Sequence, residues 1–425
     1  MKIALALVIL LALVAAAIPV GAVLGILGIL LARLFSSFPL ENALGDIAWA
    51  ASSDFVLIAV PLFIFMGEIL LRSGIAGRMF VVMSGLLARF PGGLLHANIG
   101  TSALFAATSG SSVATAATIA TVATPEMERG GYRRSTFLGS IAAGGTLGIL
   151  IPPSINMIVY AVLAEVSVRD LYVAAVVPGI LLAAIFGCIV IVLALANPDV
   201  GGNEQPTPWS RVARSLPWLL PPMGLFLIVV GSIYAGVATP SEAAALGLVA
   251  TLVLAAAQRR LSVAILVEAS LATMRTTAMV MLIIIAAFFL NFVLSSTGIT
   301  ATISGFMVAL DWGPLATLAV IIAIYLVLGC FMETLTLMVA TTPIVVPIIV
   351  GLGYDPVWFG VLFMILIEAA LITPPIGMNL FVVQAIYPRA TSAEIARGAA
   401  PFLLGMFLMV ALLVAFPWLA LGLVS

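Results

Sequence analysis

The sequence is short of nearly every residue type a soluble enzyme uses. It has one histidine, His96, two cysteines, Cys188 and Cys330, and only 8% charged residues. One histidine cannot supply a metal cluster, and two cysteines far apart in apolar sequence read as buried free thiols rather than a disulfide or metal pair. The 16 basic and 17 acidic residues leave a formal charge of -1, with no Lys/Arg run to follow a phosphate backbone, so nucleic acid is excluded as a partner. No Ser/Lys or Ser/His pairing, His/Asp metal set or repeated filter loop is present, which argues against an intramembrane enzyme or a channel.

What is there is apolar. The chain of 425 residues is 64% hydrophobic, with a mean hydropathy of +1.32. Stretches of roughly 20 apolar residues, enough to cross about 30 Å of hydrocarbon, recur from end to end. The chain therefore reads as an all-α polytopic membrane protein whose surroundings are the lipid bilayer. Spans are expected near 3–34, 52–71, 136–164, 171–196, 216–236, 240–257, 274–295, 357–387 and 398–424. Residues 1–18 resemble a signal peptide, but the apolar run continues to Leu34, so a retained segment is expected, either one long span or two short ones around Pro19. Residues 93–124 and 314–347 differ from the rest. Each is about one and a half spans long with small polar residues at its middle, as two re-entrant helical hairpins would be.

Residues 197–215, "NPDVGGNEQPTPWSRVARS", form the one clear linker and divide the chain in two. Pro125 pairs with Pro347, Gly131-Tyr132 with Gly353-Tyr354, and Pro152-Pro153 with Pro374-Pro375, each at an offset of 222 (347 − 125, 353 − 131, 374 − 152). Ser73-Gly74 falls near Thr297-Gly298 with a two-residue slip. Such register marks an internal repeat. The loop after the first hairpin carries Arg129, Arg133 and Arg134, and its mate in the second half carries no Lys or Arg. By the positive-inside rule the two loops face opposite sides, so the repeat is inverted. Arg72, Arg78 and Arg89 agree, the corresponding region 296–313 holding only Asp311, and Arg211, Arg214, Arg259, Arg260, Arg389 and Arg397 also fall on the cytoplasmic side. The expected organisation is an N-terminal scaffold segment (1–49), a first repeat (50–196, hairpin 93–124, broken helix 136–164), a cytoplasmic linker (197–215), scaffold helices (216–260) and a second repeat (261–425, hairpin 314–347, broken helix 357–387).

Inverted repeats with hairpins and broken helices belong to secondary transporters, whose sites lie near the midplane where free amides meet anions and free carbonyls meet Na⁺. Four places qualify. The first tip holds Thr108, Ser109, Gly110, Ser111 and Ser112, and the second Glu333, Thr334 and Thr336. Glu333 is either an ion or proton ligand or bonded to amides at the turn. The breaks are Ile151-Pro152-Pro153-Ser154 with Asn156, and Thr373-Pro374-Pro375-Ile376-Gly377 with Asn379. Each double proline removes two N–H donors and frees carbonyls near 148–151 and 370–373. Glu68, Glu368 and Glu242 carry weaker signals and read as buried polar contacts, helix starts or subunit contacts.

The motifs "SGSSVATAATIATVATPEM", "GGYRRS", "GILIPPSINMIVY", "GYDPVWFG" and "LITPPIGMNLFVV" resemble the large, DctM-like membrane subunit of tripartite ATP-independent periplasmic (TRAP) transporters, over nearly the whole chain and in the same order. The resemblance implies Na⁺-driven uptake of an organic anion, such as a C4-dicarboxylate or sialic acid, by an elevator-type motion in the bacterial inner membrane. It also implies a small four-helix membrane subunit and a periplasmic binding protein as partners. Carried onto this chain, the family's Na⁺ regions correspond to Ser109, Gly110, Ser111, Ile151, Pro152, Glu333, Thr334, Thr373 and Gly377. Its substrate regions correspond to Ser111, Ser112, Pro153, Ser154, Asn156, Thr334, Gly377 and Asn379. Leu366 and Ala370 depart from the Asn and Gly usual in the family. A stand-alone Na⁺- or H⁺-coupled carboxylate symporter of similar architecture is the alternative.

Overall fold

In hydrocarbon each backbone N–H and C=O must find its partner within the protein, and a helix satisfies them along its own length. The computed structural model describes all residues except 1, 17, 203–206, 301, 303–304, 306–311 and 425, so Asp311 and the middle of the linker lie outside the described residues. Every described element is helical. Six helices are long and apolar enough to cross a membrane, eight if each of two bent pairs is one span.

The N-terminal segment is two helices, α1 (Lys2–Ala15) and α2 (Val20–Phe35), parted where Pro19 takes the N-cap position. A short α3 (Leu44–Ser52) follows. Helices α4 (Ala59–Ser73) and α5 (Ile75–Leu87) meet at 67°, the turn resting on Gly74 at φ +75°. The span expected from 52 starts later because Asp54 accepts from the Val56 amide and holds that stretch out of the helix.

The first hairpin is α6 (Leu94–Ser109) and α7 (Ser112–Gly130). It leads into a helix broken in three pieces, α8 (Arg134–Gly145), α9 (Leu147–Leu150) and α10 (Ile155–Ala164), with a 44° bend across Ile151–Ser154. Then come α11 (Val168–Ala196), α12 (Trp209–Tyr234), α13 (Pro240–Ala257) and α14 (Val263–Ser296). Helix α12 takes in residues 209–215 of the expected linker, and Arg89 anchors its start, donating to the Thr207 carbonyl at 2.6 Å and lying 3.8 Å over the Trp209 ring. Helix α14 begins eleven residues before the apolar run at 274 because Ser262 caps it and Glu268 extends out to Arg72. The second hairpin, α15 (Gly313–Gly329) and α16 (Thr334–Gly351), precedes α17 (Pro356–Leu371), α18 (Met378–Ile386), α19 (Ser392–Ala415) and α20 (Trp418–Leu421).

With little hydrophobic drive between helices in lipid, close packing through small residues decides the contacts. Gly21, Gly25 and Gly28 of α2 let α14 approach with Leu282, Ala286 and Phe289. Gly139 of α8 and Gly398 of α19 bring two backbones into contact at one crossing, where a side chain on either would meet peptide atoms. The pairing of the halves is reciprocal. Helix α10, after the first break, packs on α16 of the second hairpin, and α18, after the second break, packs on α7 of the first. Likewise α8 packs on α19 and α17 on α11. This exchange brings the helix after each break against a hairpin of the other half.

Candidate functional site

Gly110, at φ +62°, turns the first hairpin, and it does so against the first break: a Cβ there would stand 2.7 Å from the Pro153 carbonyl oxygen. Ser111 caps α7, its Oγ accepting from the Ala114 amide at 3.4 Å. Ser109 and Thr115 join hydroxyls at 3.0 Å, and Thr108 donates to the Phe105 carbonyl. Gly148 of α9 lies against the Ser111–Ser112 backbone. The first tip is thus seated on the first break.

Both prolyl–prolyl bonds, Pro152-Pro153 and Pro374-Pro375, are cis. Ser154, fully buried, caps α10 by accepting from the Met157 amide. Tyr172 closes the strand of chain there, accepting from the Ser154 amide and donating to its carbonyl at 3.1 Å. Among the described residues no hydrogen bond reaches the carbonyls of Ile151, Pro152 and Pro153, or those of Ile372 through Ile376. Pro152 and Pro153 are buried, whereas Pro374, Pro375 and Ile376 are exposed, so one break is covered and the other is open.

Two side chains cross from the second half to the first, one to the tip and one to α8 beside it. Asn379, fully buried, donates to the Ala142 carbonyl at 3.2 Å, and its Nδ2 and the Ser112 carbonyl both flank Gly145. Glu368, on α17 ahead of the second break, accepts from Ser112 Oγ at 2.7 Å. It is 0% exposed, and its Oε2, like Asn379 Oδ1, has no partner among the described residues. In the sequence Glu368 reads as one of the weaker charges. The signal was present, an acid in the middle of an apolar run, but nothing in one dimension showed that it meets the first tip.

The second tip forms a separate locus. Glu333 caps α16, its Oε2 accepting from the Thr336 amide at 3.0 Å and its Oε1 from Thr334 Oγ1 at 3.0 Å. Asn156 of α10 donates to Thr334 Oγ1 at 3.3 Å, tying the first broken helix to this tip. Thr373, just past the end of α17, donates back to the Ala369 carbonyl of that helix, and Gly377 takes φ +41° to start α18. Among the described residues no hydrogen bond links residues 373–377 to either tip. The other two acids are explained locally: Glu68 pairs with Arg72 one turn on, and Glu242 forms a capping box with Thr239. Cys188 and Cys330 are free, but Cys188 is exposed, against the expectation of burial, because it faces outward from α11.

Apolar spans, a first hairpin tip seated on the first helix break, and a second tip tied to the helix after that break are the parts of a multi-pass membrane transport protein. Residues 7–419 match the family described as "Tripartite ATP-independent periplasmic transporter, DctM component". The chain is 34% identical over 406 residues to the C4-dicarboxylate TRAP transporter large permease protein DctM of Pseudomonas aeruginosa, covering 94% of this chain and 93% of that one. It is 33% identical over 367 residues to the ectoine/5-hydroxyectoine TRAP transporter large permease protein UehC of Ruegeria pomeroyi, covering 86% and 85%. Its fold is similar to the crystal structure of the YdaH transporter of Alcanivorax borkumensis, with a TM-score of 0.62 over 91% of each chain at 16% identity. The protein belongs to the DctM family of TRAP transporter large permeases, which are transport proteins and not enzymes.

Proposed function

We propose that this chain is the Na⁺-coupled permease for a small organic anion in a bacterial inner membrane, fed by a periplasmic binding protein and assembled with a small membrane subunit. The observation that carries the reading is the seating of the first tip on the first break, with Ser112, Glu368 and Asn379 of both halves meeting beside it. Acceptor oxygens are left over there: Glu368 Oε2 and Asn379 Oδ1 are buried without partners among the described residues. An excess of oxygen acceptors suits a hard cation such as Na⁺. Ser111, Ser154 and Glu333 start helices at the tips and the first break, and the positive helix ends there suit a carboxylate. In this reading the hairpins are re-entrant, the repeat is inverted, and an elevator-type motion carries the locus across the bilayer. A tripartite family supports the partners, a relative named for C4-dicarboxylates supports an anionic substrate, and one named for ectoine shares with it only the carboxylate group.

The test is uptake into proteoliposomes holding this chain and its small subunit, with the cognate binding protein outside and a panel of labelled organic acids. Uptake is expected with an inward Na⁺ gradient and not with K⁺ in its place. Uptake indifferent to the Na⁺ gradient but driven by a proton gradient overturns Na⁺ coupling. Uptake without any binding protein overturns the tripartite reading in favour of a stand-alone symporter.

A further inference from the structure

Where α11 ends and α19 begins, three arginines line a cavity of about 530 Å³: Arg133, Arg134 and Arg397. All three are exposed, and among the described residues none has a carboxylate within ion-pair distance. Arg134 donates to the Arg389 carbonyl and lies 5.6 Å from the Tyr387 ring, and Arg397 donates to the Ala393 carbonyl, so two of them are held in place without being neutralised. Glu394 is the one acid in the lining, and Glu128 nearby is taken up by Arg389 and Tyr387. The cavity carries net positive charge.

Directly below it runs an apolar groove of about 520 Å³ between α11 and α19, lined by Leu181, Ile185, Cys188, Val192, Leu404 and Leu408. Leu193 and Pro401 line both spaces, so cavity and groove are continuous. At ~1.5 Å per residue the groove from Leu181 to Leu193 is about 18 Å long, close to the reach of one extended acyl chain. Val192, Leu404 and Leu408 are among the exposed apolar side chains, as lipid-facing positions of a span would be. A basic cavity at one membrane boundary joined to an apolar groove running toward the midplane matches one kind of molecule, with a negative head and a long tail.

We propose that this joined cavity and groove bind an anionic phospholipid of the cytoplasmic leaflet, its phosphate among Arg133, Arg134 and Arg397 and one acyl chain along α11 and α19. Only the leaflet assignment uses the inverted-repeat orientation; the binding test is independent of transport.

Cys188 lies in the groove, and Cys330→Ala leaves it as the single thiol. In detergent solution of the full-length chain, the alkylation rate of Cys188 by N-ethylmaleimide reads occupancy. Phosphatidylglycerol is expected to slow alkylation at concentrations about tenfold below those needed with phosphatidylcholine, and R133Q/R397Q should remove that preference while size-exclusion and circular dichroism profiles stay unchanged. If the double variant misfolds, Arg397→Gln alone, expected to lose part of the preference, decides. Equal protection by both lipids, or a preference that survives the arginine changes, overturns the proposal. So does protection by glycerol 3-phosphate alone, which would make the cavity a free-phosphate site. Protection that rises with protein concentration without lipid would make the groove a contact between copies and equally overturn it.

Discussion

Glu368 is a destabilising choice for a buried position unless something meets its second oxygen. A carboxylate without a cation in a low-dielectric interior costs several kcal/mol, and Ser112 satisfies only Oε1. Glu368→Gln keeps a carbonyl for Ser112 and removes the charge. The protein should fold with a similar melting temperature, yet Na⁺-dependent uptake should fall by an order of magnitude or more, measured in proteoliposomes; uptake equal to wild type would end the assignment. Glu368→Ala instead leaves Ser112 unpaired beside a cavity and should destabilise by about 2–4 kcal/mol, read from thermal or denaturant unfolding. Hydropathy marks such an acid as out of place, but the bond to Ser112, 256 positions away in sequence, exists only in the folded chain.

At the scale of elements, the tips and the first break are helix starts. Ser111 caps α7, Ser154 caps α10 and Glu333 caps α16, each side chain taking an amide that the helix leaves unpaired. Ser154→Ala should cost about 1 kcal/mol of stability, measured by unfolding. For Glu333 the two readings open in the sequence divide cleanly. If the carboxylate serves as a cap, Glu333→Ser should keep both stability and Na⁺ dependence, whereas Glu333→Ala should lose about 1 kcal/mol. A loss of Na⁺ dependence in Glu333→Ser, with stability retained, would make it an ion ligand instead. The helix breaks themselves were legible, since double prolines cannot continue a helix. The additional helix α5 was not, because Gly74, Gly77 and Arg78 interrupt its apolar pattern.

At the scale of the molecule, the two halves differ in what they cover. The first break is buried under the first tip, and the second is exposed at Pro374 to Ile376. With Cys188 and Cys330 replaced, Ile376→Cys should react readily with a water-soluble maleimide while Ser154→Cys resists; equal reactivity would contradict this asymmetry. Arg129 and Gly351 are exposed equivalents at the 222 offset (351 − 129), and cysteines there should label from opposite sides of sealed vesicles. Labelling from the same side would sink the inverted repeat.

The sequence by itself determined that this chain lives in a bilayer, where its helices break, and which residue types stand at those breaks. Those properties follow from local chemistry, from hydropathy over a span and from the missing N–H of proline. Only the tertiary structure decided that α10 and α18 cross to the opposite hairpins, that Glu368 reaches the first tip and Asn379 the helix beside it, and that one break is covered while the other is open. The physical reason is that helix association in lipid is set by close contact of small residues such as Gly110, Gly145 and Gly148, and the partner each one admits is not encoded in its neighbours along the chain.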